Sequence, residues 1–223
     1  MKAFQIFKHD KANPHVQQVE LPRPQLQPHE LLIQVKASGV NPLDNMITRG
    51  DVRMITPYSF PQTLGNECSG VVVEGGSAVQ DFVVGDKVFS RLPTDQIGAF
   101  ADYVAVPAEA VAKIPEGLTF TEAASIPLTA LTASQALELM GVKAGDTIFI
   151  SGGSGGLGAM AIPLAKSRGL TVYTNGNSAA RDRVVALGAD RYLDYKTEDY
   201  LEHLPQVDYV LDSLGGAELS RQM

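Results

Sequence analysis

Apolar residues are spaced differently on the two sides of residue 120. Before it they fall in short runs: KAFQIF (2–7), ELLIQVKASGV (30–40), SGVVVEGG (69–76), DKVFSRL (86–92) and ADYVAVP (101–107). Proline and glycine separate these runs at LPRPQLQP, GVNPLD and VVGDK. Short β-favouring runs bounded by turn residues predict a β-rich, barrel-like module with little room for a long helix.

After it the periodicity lengthens. TEAASIPLTALTASQALELMGV (121–142) is rich in alanine and leucine, with Thr121 as a cap candidate, Gly141 as a stop and a helix break at Pro127. Strand and helix signals then alternate. DTIFIS, LTVYTN, RYLDY and VDYVLDSLG read as strands, and GGLGAMAIPLAKSRG, SAARDRVVALG and EDYLEHL as helices. This alternation marks βαβ units, and so the fold class is α/β with a parallel sheet. Pro163 falls within the first of these helices, where a local kink is expected. We place the domains at 1–122 and 123–223. A complete doubly wound dinucleotide domain has about six strands, so about two βα units are expected to be missing and the chain reads as truncated.

The sharpest motif is Ser151-Gly152-Gly153-Ser154-Gly155-Gly156-Leu157-Gly158, set between a strand and a helix. Gly153, Gly155 and Gly158 fit G-x-G-x-x-G: one for the tight turn, one for approach to a pyrophosphate, one for close helix–strand packing. A phosphate there meets the helix N-terminus and its unpaired N–H groups. NAD sites place a carboxylate at the end of the second strand, about 20 residues further on. Here that stretch is Thr174-Asn175-Gly176-Asn177-Ser178, and the first acid is Asp182, flanked by Arg181 and Arg183. Asn175, Asn177, Ser178 and Arg181 thus suit the 2′-phosphate of NADP, although the arginines also fit a plain solvated helix face.

Charge and composition narrow the function. The net charge of −7 gives no basic face for nucleic acid. A single cysteine among 223 residues precludes a disulfide framework and suits a reducing, cytoplasmic setting. MKAFQIFKHD turns polar too early for a secretory leader, and no apolar run is long enough to span a bilayer.

The segments GVNPLDNMITRG, LGNECSGVV, VVGDKV, GAFADYVAVPA, IPLTALTA, SGGSGGLG, LGADRYLDY and DSLGG together resemble the zinc-lacking quinone oxidoreductase branch of the medium-chain dehydrogenase/reductase superfamily. The resemblance implies a GroES-like catalytic domain, a Rossmann domain with a C-terminal portion this chain lacks, an active site between them, and a homodimer. Asn41 stands where the zinc relatives carry their first cysteine ligand, and Asn66 in LGNE replaces their histidine. Cys68 is the only cysteine, and His9, His15, His29 and His203 have no ligand spacing, so no metal is expected. The glycines and Glu67 of LGNECSG are expected to keep the shape of the ancestral zinc turn, and Cys68 to be a small buried apolar residue.

Without a Lewis acid, reduction of a quinone or an enone is easier than alcohol oxidation. By resemblance Asn41 is the oxyanion donor, with Thr129 near the nicotinamide ribose and Tyr195 and Ser213 at further cofactor positions. Asn41 also suits an ordinary Asn-Pro turn, which Asp44 would order. Relatives often carry a pocket tyrosine shortly after NPxD; this chain has Met46 there, and Tyr58 is the substitute candidate. The expected activity is NADPH-dependent quinone or enone reduction. The other reading is a protein that binds the cofactor without catalysis, as in crystallins recruited from this family or in a truncated fragment.

Overall fold

Burial alternates along the first residues of β1 (Lys2–Ile6), with Ala3 and Gln5 buried and Phe4 half exposed, and Ile6 at its end is buried as well. In this computed structural model, which describes residues 1–197 and 199–215, β1 lies between β2 (Gln17–Glu20) and β4 (Gln62–Thr63), both antiparallel to it. A second antiparallel sheet holds β3 (Glu30–Ser38), β5 (Glu67–Gly75), β6 (Lys87–Arg91), β7 (Tyr103–Pro107) and β8 (Val111–Lys113), in the order β7-β3-β5-β6-β8. Leu31, Ile33, Cys68, Val72, Val88 and Val106 fill its core. Between β3 and β4 the short α1 (Pro42–Arg49) drops Ile47 against Ile6, Leu64 and Ile97. The NPLD segment, read from sequence as a break, is thus the start of a helix. Proline suits its first position, where no intrahelical donor is lost.

The alanine-rich stretch forms α2 (Phe120–Ala124) and α3 (Pro127–Met140). The cap is Thr119, in a reciprocal box with Glu122, rather than the expected Thr121, which lies inside the helix. Gly141 ends α3 in the left-handed conformation, as its position predicts. The chain divides into two compact units, Met1–Leu128 and Thr129–Met223, a division that falls in the first turn of α3.

In the second unit, β9 (Thr147–Ile150), α4 (Gly156–Ser167), β10 (Thr171–Gly176), α5 (Arg181–Ala186), β11 (Arg191–Asp194), α6 (Tyr200–His203) and β12 (Tyr209–Leu211) alternate as read. All pairings are parallel, in the order β11-β10-β9-β12. This is the 3-2-1-4 order of a doubly wound sheet, with the strand order, not the strand direction, reversing beside β9. Ile148, Ile150, Ile162, Ala165, Val172 and Val184 form its core, and α4 runs unbroken through Pro163. Among the described residues no helix is long and apolar enough to cross a membrane.

Candidate functional site

In the first unit, LGNECSG delivers Glu67 into a buried polar knot. Glu67 is 2% exposed, and its two carboxylate oxygens accept different donors. Asn41 Nδ2 donates to Oε1 at 2.6 Å, and the Leu128 N–H in the first turn of α3 donates to Oε2 at 2.7 Å. Room for the carboxylate comes from Gly39, where an added Cβ would lie 2.8 Å from Glu67 Cδ. Asp44 holds the other side. Its Oδ2 accepts the Asn41 N–H and its Oδ1 accepts Asn66 Nδ2, each at 2.8 Å. Asn41 and Asp44 also form a capping box on α1.

Burial pushes the Asp44 carboxyl up, against the opposing pull of the Asn41 and Asn66 hydrogen bonds. Cys68, wholly buried, has its thiol pushed up to about 12 by burial and then by the Glu67 charge, so it stays protonated and unreactive at neutral pH. Asn66 Oδ1 is also buried, with no hydrogen-bond donor among the described residues.

The knot accounts for Asn41, Asp44 and Asn66, but not for Tyr58. Tyr58 packs against the cluster of Ile6, Ile47, Leu64 and Ile97, and its hydroxyl donates to the Thr94 carbonyl at 2.8 Å. Met46 is partly exposed on α1. The two asparagines that the resemblance puts at zinc-ligand positions each donate an amide N–H to a carboxylate, Asn41 to Glu67 and Asn66 to Asp44. Among the described residues no three His, Cys, Asp or Glu side chains cluster as a metal site would need.

In the second unit the expected cofactor residues gather at the C-terminal ends of the parallel strands, where open α/β sheets bind ligands. The positive φ of the turn after β9 is at Gly152 (+70°), not at Gly153. Gly153 is needed for a different reason: a Cβ there would press into Thr174, 2.9 Å from Cγ2. A Cβ on Gly158 would meet backbone at 2.5 Å from Gly152 O and 2.6 Å from Gly153 Cα, which is the close packing expected of the third glycine.

Gly155 caps α4 without a side chain, leaving the first-turn N–H groups of Gly156, Leu157 and Gly158 to a ligand. The loop is anchored from β10, because Gly152 N–H donates to Asn175 Oδ1 at 2.7 Å and Gly153 N–H to Asn175 O at 3.1 Å. Asn175 therefore braces the loop from a buried position. Thr129 Cγ2 lies 3.5 Å from the Cβ position of Gly156.

Ser178 and Arg181 are exposed just past β10, and Arg183 donates to the Ser154 carbonyl at 3.4 Å. Asn177 Oδ1 is buried and has no donor among the described residues. Tyr195 is half exposed, its N–H donating to Gly176 O, and Ser213 is exposed on the bend after β12. The residues fit a dinucleotide: a cradle in which added side chains clash, uncapped N–H groups for a pyrophosphate, and no carboxylate on the last residues of β10.

Three residues have surroundings that the sequence did not signal. Glu67 was seen only as a backbone-keeping residue. Gly152 was masked by the run of glycines, and Tyr192 was read only as part of the strand RYLDY.

Comparison with known proteins gives three kinds of match. The alcohol dehydrogenase GroES-like domain model matches residues 27–116. The mitochondrial NAD(P)H oxidoreductase RTN4IP1 of Mus musculus is 37% identical over 210 residues, covering 85% of this chain and 53% of that protein. The chloroplastic NADPH-dependent alkenal/one oxidoreductase of Arabidopsis thaliana is 33% identical over 201 residues, covering 86% and 52%. The solved quinone oxidoreductase of Coxiella burnetii is 36% identical, with a TM-score of 0.86, covering 97% of this chain and 69% of that one. The chain spans about half the length of the curated relatives it matches.

Proposed function

The chain belongs to the zinc-independent quinone oxidoreductase branch of the medium-chain dehydrogenase/reductase family, and from that membership we propose that it transfers hydride from NADPH to a quinone or an α,β-unsaturated carbonyl compound. The observation that carries this reading is the β9–glycine loop–α4 unit, with a side-chain-free cap and no acid on the last residues of β10. Bound nicotinamide supplies the hydride.

The protein's own groups supply the rest. Gly155, Gly156, Leu157 and Gly158 hold the pyrophosphate through backbone N–H groups, and Ser178 and Arg181 receive the 2′-phosphate. Asn41 keeps one amide hydrogen on Glu67, and its second is free to donate to an acceptor oxygen as negative charge develops. Asp44 fixes the Asn41 backbone, so the donor is pre-oriented. Met46 gives the acceptor an apolar neighbour. Thr129, Tyr195 and Ser213 complete the cofactor contacts by family analogy. The homodimer and a cytoplasmic location belong to the same reading; the organelles in the relatives' names are those proteins' own.

Fluorescence titration tests the cofactor. NADPH is expected to bind at least about tenfold more tightly than NADH, the equivalent of one good charge-assisted contact. Equal or tighter NADH binding refutes the NADP assignment. NADPH binding with no turnover of 1,4-benzoquinone or a simple enone makes the chain a non-catalytic cofactor binder.

A further inference from the structure

We infer that Tyr192 is a positioning residue that sets selectivity for a 2′-phosphorylated adenosine; the inference rests on the NADPH reading above. Tyr192 lies on β11 opposite Thr174 of β10, only 5% exposed, with its ring in the core of the second unit. Its hydroxyl crosses the end of β10 and donates to the Asn177 carbonyl. Gly176 leaves the path open: a Cβ there would lie 3.0 Å from Tyr192 Cζ and closer still to the hydroxyl. The guanidinium of Arg181 sits over the same ring, 5.7 Å from its centroid.

One buried side chain therefore pins the backbone just before Ser178 and also seats Arg181. Those are the two groups assigned to the 2′-phosphate. The segment between them is a single 3₁₀ turn, Ser178–Ala180, so fixing Asn177 fixes where the Ser178 hydroxyl points. The Asn177 carbonyl also accepts the Ala180 N–H at 3.0 Å, which closes the turn, and Asn177 Oδ1 is buried without a donor among the described residues. Tyr192 does not touch the phosphate, because its proton is committed to Asn177. It acts through the geometry of Ser178 and Arg181, which NADH does not engage.

The test measures dissociation constants of the full chain for NADPH and NADH, and for adenosine 2′,5′-bisphosphate and AMP. Tyr192→Phe keeps the ring and loses the hydroxyl. It is expected to weaken NADPH and the bisphosphate by roughly fivefold, the worth of one hydrogen bond, with NADH and AMP within about twofold. Arg181→Gln, an exposed change that leaves the core alone, is expected to give the same selective loss, about five- to tenfold. Equal weakening of both ligand classes by Tyr192→Phe, or none, overturns the inference, as does intact selectivity in Arg181→Gln. Failure of the NADPH reading shows separately, in the unsubstituted chain, as NADH and AMP binding at least as tightly as their phosphorylated counterparts, and the inference then falls with it.

Discussion

Gly158→Ala is expected to eliminate measurable NADPH binding and to lower stability by about 2–3 kcal/mol. The added methyl has no escape. Its nearest neighbours, Gly152 O and Gly153 Cα, are backbone atoms of the loop itself, at 2.5 and 2.6 Å. Relief requires α4 to move away from β9 or the loop to open. Either movement displaces the uncapped N–H groups of Gly156 and Leu157 from the positions the pyrophosphate needs. Loop strain would also reach Asn175, whose side chain and carbonyl hold the Gly152 and Gly153 N–H groups. Calorimetric titration with NADPH and urea unfolding measure the two effects. Wild-type affinity in this variant would show that the loop does not hold the cofactor. Gly155→Ala is the internal comparison: among the described residues its Cβ has only Gly152 O nearby, at 3.3 Å, so the stability loss should be far smaller.

Glu67→Leu is expected to cost about 2–5 kcal/mol, because it strands two buried donors, Asn41 Nδ2 and the Leu128 N–H, that now share one carboxylate. Turnover should fall by roughly 10²–10³-fold, the loss seen when an oxyanion donor is misplaced, since Asn41 loses the partner that orients its amide. NADPH affinity should change little, because the glycine loop makes no use of Glu67. Glu67→Gln preserves shape but turns one acceptor into a donor facing another donor, so it should fall between the two. Urea unfolding, steady-state kinetics and NADPH titration separate these effects. A leucine variant with wild-type stability and turnover would remove Asn41 and Glu67 from the mechanism.

The two halves of the chain were legible to different depths. The parallel sheet could be read strand by strand, because βαβ alternation and a glycine loop are local signals, with short apolar runs such as IFI and YVL behind them. In the first unit the long runs became strands, but β2, β4 and β8 escaped. Their sequences QQVE, QT and VAK hold too few apolar residues to signal a strand, so pairing rather than hydrophobicity makes them. Thr121 was read as the cap because a threonine before an alanine-rich run looks like one; only the reciprocal contact with Glu122 identifies Thr119 as the cap.

Asn41 and Asp44 were identifiable from NPLD as a local turn pair. Their link to Glu67 and Asn66 was not, because it joins residues more than twenty positions apart through side chains alone. Tyr192 was hidden for the same reason. A buried tyrosine in a strand looks like core until its hydroxyl is seen to reach the neighbouring turn.

The central claim is hydride delivery from NADPH by the protein's own groups, with no metal. The most direct measurement incubates the full chain, treated with a strong chelator, with NADPH carrying deuterium at C4 and a simple enone, and locates the label by NMR. The account predicts a single deuterium on the β-carbon of the reduced ketone, with the α-hydrogen taken from solvent, at a rate the chelator does not change. No transfer of deuterium from NADPH, or transfer that appears only when zinc is restored, would contradict it.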